Sequence, residues 1–428
     1  MTLGLAIWLA TSPFLSGYRS SALTINDVVV GALIAVCALL SLSPRFAPVR
    51  WATAGLGLWL LFAPLVFWAP TAASYLTDTL IGGLVIGFSI LSRPPPGITA
   101  AADSTGPTTP PGWDFSPSSW FQRAPIIALA IVGLLVSRYL AAYQLGHIDS
   151  VWEPFFAGGA DPKNGTEEII TSWVSEAWPV SDAGVGAVTY MLEILTGLIG
   201  SARRWRTMPW LVVLFGILIV PLGVVSITFI VIQPILLGTW CSLCLIAAAA
   251  MLIQIPYSLD ELVATGQFLN RRRKAGANLI RIFFTGDTDD GRFERKDDDF
   301  SRPPSELLYD MVAGGVGVPW NLVACLGIGV WLMFTRLSLG MDGIAADTDH
   351  LIGSLVLTVT VTALADVARP VRFLNMALGA ALLVSAFAYG AGALSMASSI
   401  LCGLALIVLS IRRGGITHRY GEWNRLLI

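Results

Sequence analysis

The chain is predicted to be an all-α integral membrane protein of about twelve transmembrane helices. Three observations carry that expectation. Of 428 residues, 55% are apolar and only 13% charged, about half the charge of a soluble domain, and the mean hydropathy is +0.72. Twelve segments approach the roughly 20 apolar residues that cross a bilayer core of about 30 Å. The basic residues also fall almost wholly into alternate loops. The net charge of -2 points to no nucleic-acid partner.

The spans are expected near 3–17, 25–42, 52–69, 76–92, 124–143, 183–200, 209–232, 235–257, 318–337, 350–366, 373–390 and 394–411. The start, MTLGLAIWLATSPFLSG, lacks the basic flank of a secretory signal and reads as a retained first span. With the N-terminus inside, the inner loops hold 22 of the 26 Lys and Arg. Both termini are therefore expected to be cytoplasmic in the cell membrane. The longest outer loop, 144–182, is acidic and has no cysteine.

The outer thirds of the chain are internally repetitive. GLAIWLATSPF (4–14) matches GLGLWLLFAPL (55–65), and NDVVVG (26–31) matches TDTLIG (77–82). The pattern returns as GIGVWLMFTRL (327–337) with TDHLIG (348–353), and more weakly as ALGAALLVSAF (377–387) with SSILCG (398–403). Four helical hairpins follow, their glycines allowing close helix approach. With Ser12-Pro13, Trp8, Ala63-Pro64 and Trp59 as landmarks, they resemble the SPW repeat of bacterial membrane proteins. One pair is placed at 1–92 and a second at 318–412, as scaffold or oligomer interface, ahead of a cytoplasmic tail at 413–428.

Two connectors separate the parts. Residues 93–123, rich in Pro, Ser and Thr, are expected to be a flexible cytoplasmic linker. Residues 258–317 begin with Leu259, Leu262, Val263, Phe268 and Leu269 on one helical face ahead of Arg271–Lys274. That pattern suits an interfacial helix at anionic lipid, or a plain positive-inside anchor.

Chemistry concentrates at TWCSLCLI (239–246). Cys37, Cys325 and Cys402 stand alone in apolar runs, whereas Cys241 and Cys244 are spaced as Cys-x-x-Cys. Zinc would need further Cys or His ligands in the same stretch, and haem attachment a His where Leu245 stands. A redox pair is left as the main chemical candidate, with no metal expected. Pro234 and Gly238 mark a turn, so both cysteines fall in the first turns of the eighth span. There the helix dipole favours thiolate, desolvation by Trp240, Leu243 and Leu245 opposes it, and the balance stays open.

With IVGLLVSRYLAAYQLG (131–146), VGAVTYMLEIL (185–195) and WCSLCLIAAAAML (240–252), residues 124–257 resemble the vitamin K epoxide reductase family. The resemblance implies a central four-helix bundle whose fourth helix opens on the dithiol, at the extracytoplasmic side. It implies catalysis by Cys244 facing a quinone (menaquinone or ubiquinone) and by Cys241 exchanging with an incoming thiol or disulfide, as on a thioredoxin-fold partner. Two loop cysteines that relay electrons in that family are absent from 144–182, with Thr171 where the second would fall, and Ala247–Ala250 lack its tyrosine. Tyr190, Thr189 and Trp240 are candidate quinone contacts. Glu193, Arg138 and Asp182 are candidates for a proton or ion-pair role, Glu193 and Arg138 foremost as a pair. The function expected is a quinone-linked thiol-disulfide oxidoreductase. The alternatives are a non-catalytic scaffold or assembly subunit and a transporter-like protein.

Overall fold

A computed structural model describes residues 1–90, 98, 105–158, 162–291, 303–389 and 392–427. Among the described residues nine helices are long and apolar enough to cross a membrane, and two more, Thr2–Leu15 and Trp320–Met333, are apolar but shorter. The chain is an all-helical, multi-pass membrane protein.

The first third is two hairpins: α1 (Thr2–Leu15) with α2 (Ser21–Leu40), and α3 (Val49–Val66) with α4 (Ala72–Ile90). Ser20 caps α2, its hydroxyl accepting from the Leu23 amide at 3.3 Å. The repeat glycines sit where the helices of each hairpin touch. A Cβ on Gly31 would lie 2.9 Å from the Ala6 carbonyl oxygen, and one on Gly82 2.7 Å from that of Gly57. The hairpins pack as a pair, α2 on α3 and α1 on α4, and the Trp59 indole donates to Asn26 Oδ1 at 2.8 Å.

The middle bundle is a ring of four helices: α5 (Trp120–Gln144), α8 (Asp182–Leu198), α9 (Pro209–Ile232) and α10 (Ser242–Lys274). Each packs on the next, and α10 closes onto α5. Between α5 and α8 the loop carries two short helices, α6 (Gly165–Ile170) and α7 (Trp173–Glu176). Beyond α10 come α11 (Leu279–Thr285) and α12 (Pro304–Ala313).

The last third repeats the hairpin design. Its helices are α13 (Trp320–Met333), α14 (Gly343–Leu364), α15 (Leu374–Ala388) and α16 (Ala393–Ile411). The equivalent glycines are as tightly placed: a Cβ on Gly353 would lie 2.7 Å from the Gly329 carbonyl oxygen, and one on Gly403 2.8 Å from that of Gly379. The Trp331 indole donates to Ser398 Oγ at 2.9 Å, as Trp59 does to Asn26. This pair docks through α14 onto α9 and α10.

Two expectations for the connectors are corrected. Helix α10 does not stop near 257 but runs unbroken for 33 residues, about 50 Å at 1.5 Å per residue. Its apolar stripe is covered by protein rather than lipid: Phe268 and Ala264 are buried with Trp205, Trp113 and Tyr420. Arg271 pairs with Asp289 at 2.5 Å and Arg272 with Asp287, so two of the basic residues are answered by carboxylates of their own chain. The second half of the 93–123 linker is packed as well. Trp113 is buried against Tyr420, and the fully buried Ser118 hydroxyl donates to Glu261. Glu261 is held in a fork by Arg204, with Nε and Nη2 each 2.6 Å from a carboxylate oxygen. The expectation of flexibility for 93–97 and 99–104 lies outside the described residues.

Candidate functional site

Helix α9 ends in a wide turn, Gln233–Leu237, closed by Gly238 at φ 75°, a left-handed conformation that suits glycine. The chain reverses there and α10 begins. Cys241 is its N-cap, the sulfur accepting from the Cys244 amide at 3.0 Å. The Gln233 side-chain oxygen accepts from the Cys241 amide, also at 3.0 Å. Cys241 and Cys244 are joined as a disulfide, with Cα atoms 5.2 Å apart.

The two sulfurs have different surroundings. Cys241 is fully buried, in an apolar cluster with Leu140 of α5, Val151 of the loop, and Ile169 and Ile170 of α6. Cys244 is half-buried and forms part of the wall of a cavity of about 200 Å³ at the centre of the four-helix ring. Leu140, Val185, Leu222, Val225, Phe229 and Ala248 give that cavity an apolar lining. Its polar groups include Ser137, Ser172, Ser175, Asp182, Tyr190, Ser226 and Gln233, and α7 contributes the roof.

The loop is fastened over the dithiol by Glu153. Its carboxylate accepts from the Ser242 amide at 2.8 Å and from the Ser242 hydroxyl, at the first residue of α10. It also accepts from the Thr166 hydroxyl at 2.6 Å and from the amides of Phe155 and Phe156. Burial pushes this carboxyl up, but the bonds from Ser242, Thr166 and the loop amides outweigh it and hold Glu153 below the usual carboxylate range. An anionic cap at a helix N-terminus is favourable in its own right. Gly165 completes the closure: a Cβ there would stand 2.5 Å from the Trp240 carbonyl oxygen, so only a glycine backbone lies this close to the peptide before Cys241.

The candidate residues divide. Tyr190 and Asp182 line the cavity. The Tyr190 hydroxyl donates to the Ala247 carbonyl at 2.8 Å. Asp182 Oδ1 accepts from Gln144 at 2.5 Å and Ser175 at 2.9 Å, which ties α8 to α5 and to the roof. Thr189 and Trp240 do not line it. Thr189 returns its hydroxyl to the Val185 carbonyl, and Trp240 is buried among Phe156, Phe334 and His350. Nor do Glu193 and Arg138 pair. Arg138 lies with Tyr75 and Met191 at the seam with the first hairpin pair, while Glu193 is buried facing the Gln254 side chain of α10. On α8, positions 191 and 193 are about 200° apart, so the seam and the α10 contact belong to opposite sides. Thr171 accepts from Lys163 at 3.0 Å and returns its hydroxyl to the Glu167 carbonyl.

Sequence reasoning did not single out Glu153 or Gln233. A lone amide ending an apolar run was a usable signal for Gln233; Glu153 was one of several loop acids with nothing to distinguish it. Among the described residues no group of three or more His, Cys, Asp or Glu side chains could hold a metal ion.

Two stretches of the chain match known families. Residues 124–259 match the vitamin K epoxide reductase family and residues 1–92 the SPW repeat domain. No curated protein and no solved structure matches the chain.

Proposed function

We propose that the protein is a membrane thiol-disulfide oxidoreductase that passes electrons between the Cys241–Cys244 pair and a quinone. The observation that carries this reading is the asymmetry of the pair, with Cys244 on the wall of the central cavity and Cys241 sealed beneath the loop. The family match of residues 124–259 supports the thiol chemistry.

The cavity fits a quinone ring better than a whole isoprenoid quinone. About 200 Å³ falls below the roughly 300–1,000 Å³ of pockets that enclose entire drug-sized ligands. Its apolar wall, with Tyr190, Ser137 and Gln233 among the polar positions, suits a flat ring carrying two carbonyls. A bound quinone supplies a two-electron, two-proton acceptor. In the forward direction a partner thiolate attacks Cys241 Sγ, the Cys241–Cys244 bond breaks, and Cys244 leaves as thiolate. The partner's second thiol resolves the mixed disulfide, leaving an oxidised partner and a reduced Cys241/Cys244 pair. Closing the pair again releases two electrons and two protons on the cavity side. Because 144–182 lacks cysteine, the partner, of thioredoxin-fold type, must reach Cys241 directly, and the Glu153 latch must open to admit it. The positive-inside pattern supports placing this face outside the cell membrane with both termini cytoplasmic.

The test is reduction of a menaquinone or ubiquinone analogue by purified protein with dithiothreitol as donor. Wild type should turn over and Cys244→Ala should not. Equal rates would remove the enzymatic reading and leave the bundle as a scaffold.

A further inference from the structure

Four buried polar groups that the redox reading leaves unused lie at one level of the hairpin repeats. Asp27, Asp78, Asp349 and Ser399 hold equivalent positions, each four residues before the glycine that meets the other helix of its hairpin. In each pair the two positions come from the two second helices. In the second pair they are a donor and an acceptor, Ser399 Oγ donating to Asp349 Oδ1 at 3.4 Å.

In the first pair both positions are acids. Asp27 and Asp78 are each 0% exposed, and the Asp78 carboxyl lies against that of Asp27. Asn26 donates to Asp27 Oδ1 at 3.1 Å. Neither Asp78 oxygen has a donor other than Asp27 itself. The α1–α2 turn presents the Tyr18 hydroxyl toward Asp27, and α3 presents Trp59, whose N–H is committed to Asn26. Two carboxylates face to face in a low-dielectric interior cannot both be ionised, and a buried charge without a partner is costly.

We propose that Asp27 and Asp78 form a proton-binding site within the membrane, one proton shared between the two carboxyls in the place that the serine hydroxyl takes in the second pair. The O–H of one acid donates to the other and joins α2 to α4. Loss of the proton leaves two facing carboxylates, so proton occupancy and the α2–α4 bond at this level are one event. The site lies outside the dithiol bundle and does not depend on its chemistry.

Infrared difference spectroscopy of the purified chain at neutral pH tests this. Asp78→Ser and Asp27→Ser copy the arrangement of the second pair, in which a serine hydroxyl donates to the remaining carboxylate. Wild type minus either variant should contain one carboxylic-acid C=O band that shifts in deuterated water. No acid band in either difference spectrum would overturn the proposal. So would a wild-type melting point that rises with sodium over choline, which would place an alkali cation between the acids. Should the variants fail to fold, a hydrophobic carbodiimide, which reacts with protonated carboxyls, is applied to wild type and its adducts are mapped by peptide mass spectrometry. Adducts at Asp27 or Asp78 support the site; labelling confined to other carboxyls rejects it.

Discussion

Glu153→Ala should unfasten the loop from the dithiol helix and speed attack on the disulfide. Two of the bonds that Glu153 accepts cross from the loop to α10, both from Ser242. Hydrogen bonds to a charged group contribute about 1.5–3 kcal/mol each, or about 3–6 kcal/mol for two. Glu153 is only half-buried, and halving that figure for solvent competition leaves about 1.5–3 kcal/mol. At about 1.4 kcal/mol per factor of ten, the open loop becomes roughly 10- to 100-fold more populated. The readout is the rate at which a water-soluble phosphine reduces Cys241–Cys244, with the freed thiols trapped by maleimide and counted by mass. Glu176→Ala, at an exposed acid of the same loop, is the control and should react like wild type. If Glu153→Ala is also reduced at the wild-type rate, Glu153 does not control access to Cys241 and the latch is wrong.

The same latch should respond to pH in one direction. Its carboxyl is held below the ordinary range, so its stabilisation is fully present above that range and is lost as pH falls through the folded value. The phosphine rate on wild type, corrected for the reagent's own protonation, should be flat from neutral into mild acid and rise only below the usual carboxylate range. Arg204→Ala should cost about 3–5 kcal/mol, because it strands the buried Glu261 charge. Thermal unfolding in detergent should find the double variant Arg204→Met/Glu261→Leu less damaged than the single one. Filling the cavity with Ser226→Phe should lower kcat/KM for a quinone analogue at least tenfold, while phosphine reduction of the disulfide stays at the wild-type rate.

Local and periodic information made much of the architecture legible. Apolar runs mark the helices, and the repeat landmarks mark contacts: Gly31, Gly82, Gly353 and Gly403 all lie where a Cβ would strike the other helix of their hairpin. The dithiol at a helix start could be read because the turn signals Pro234 and Gly238 lie just before it. What stayed hidden depends on partners distant in sequence. Glu153 and Ser242 are 89 residues apart, so no short motif joins them. The stripe at Leu259–Leu269 was read correctly as apolar, but its cover comes from Trp113, Trp205 and Tyr420, which hydropathy alone cannot separate from lipid. Trp240 adjoins Cys241 in sequence and yet turns into an aromatic cluster with Phe334, a neighbour supplied by the second hairpin pair.

The packing of Tyr420 bears on how the molecule is assembled. Its ring lies against Trp113, its backbone carbonyl accepts from Gln267 at 2.9 Å, and Gln267 in turn accepts from the Trp113 indole at 3.0 Å. Three segments far apart in the chain thus close a single knot, and synthesis reaches Tyr420 long after Trp113 and Phe268 have emerged. Until then the Trp113 ring lacks its Tyr420 cover. Closure of this knot therefore waits for the last residues of the chain to be made.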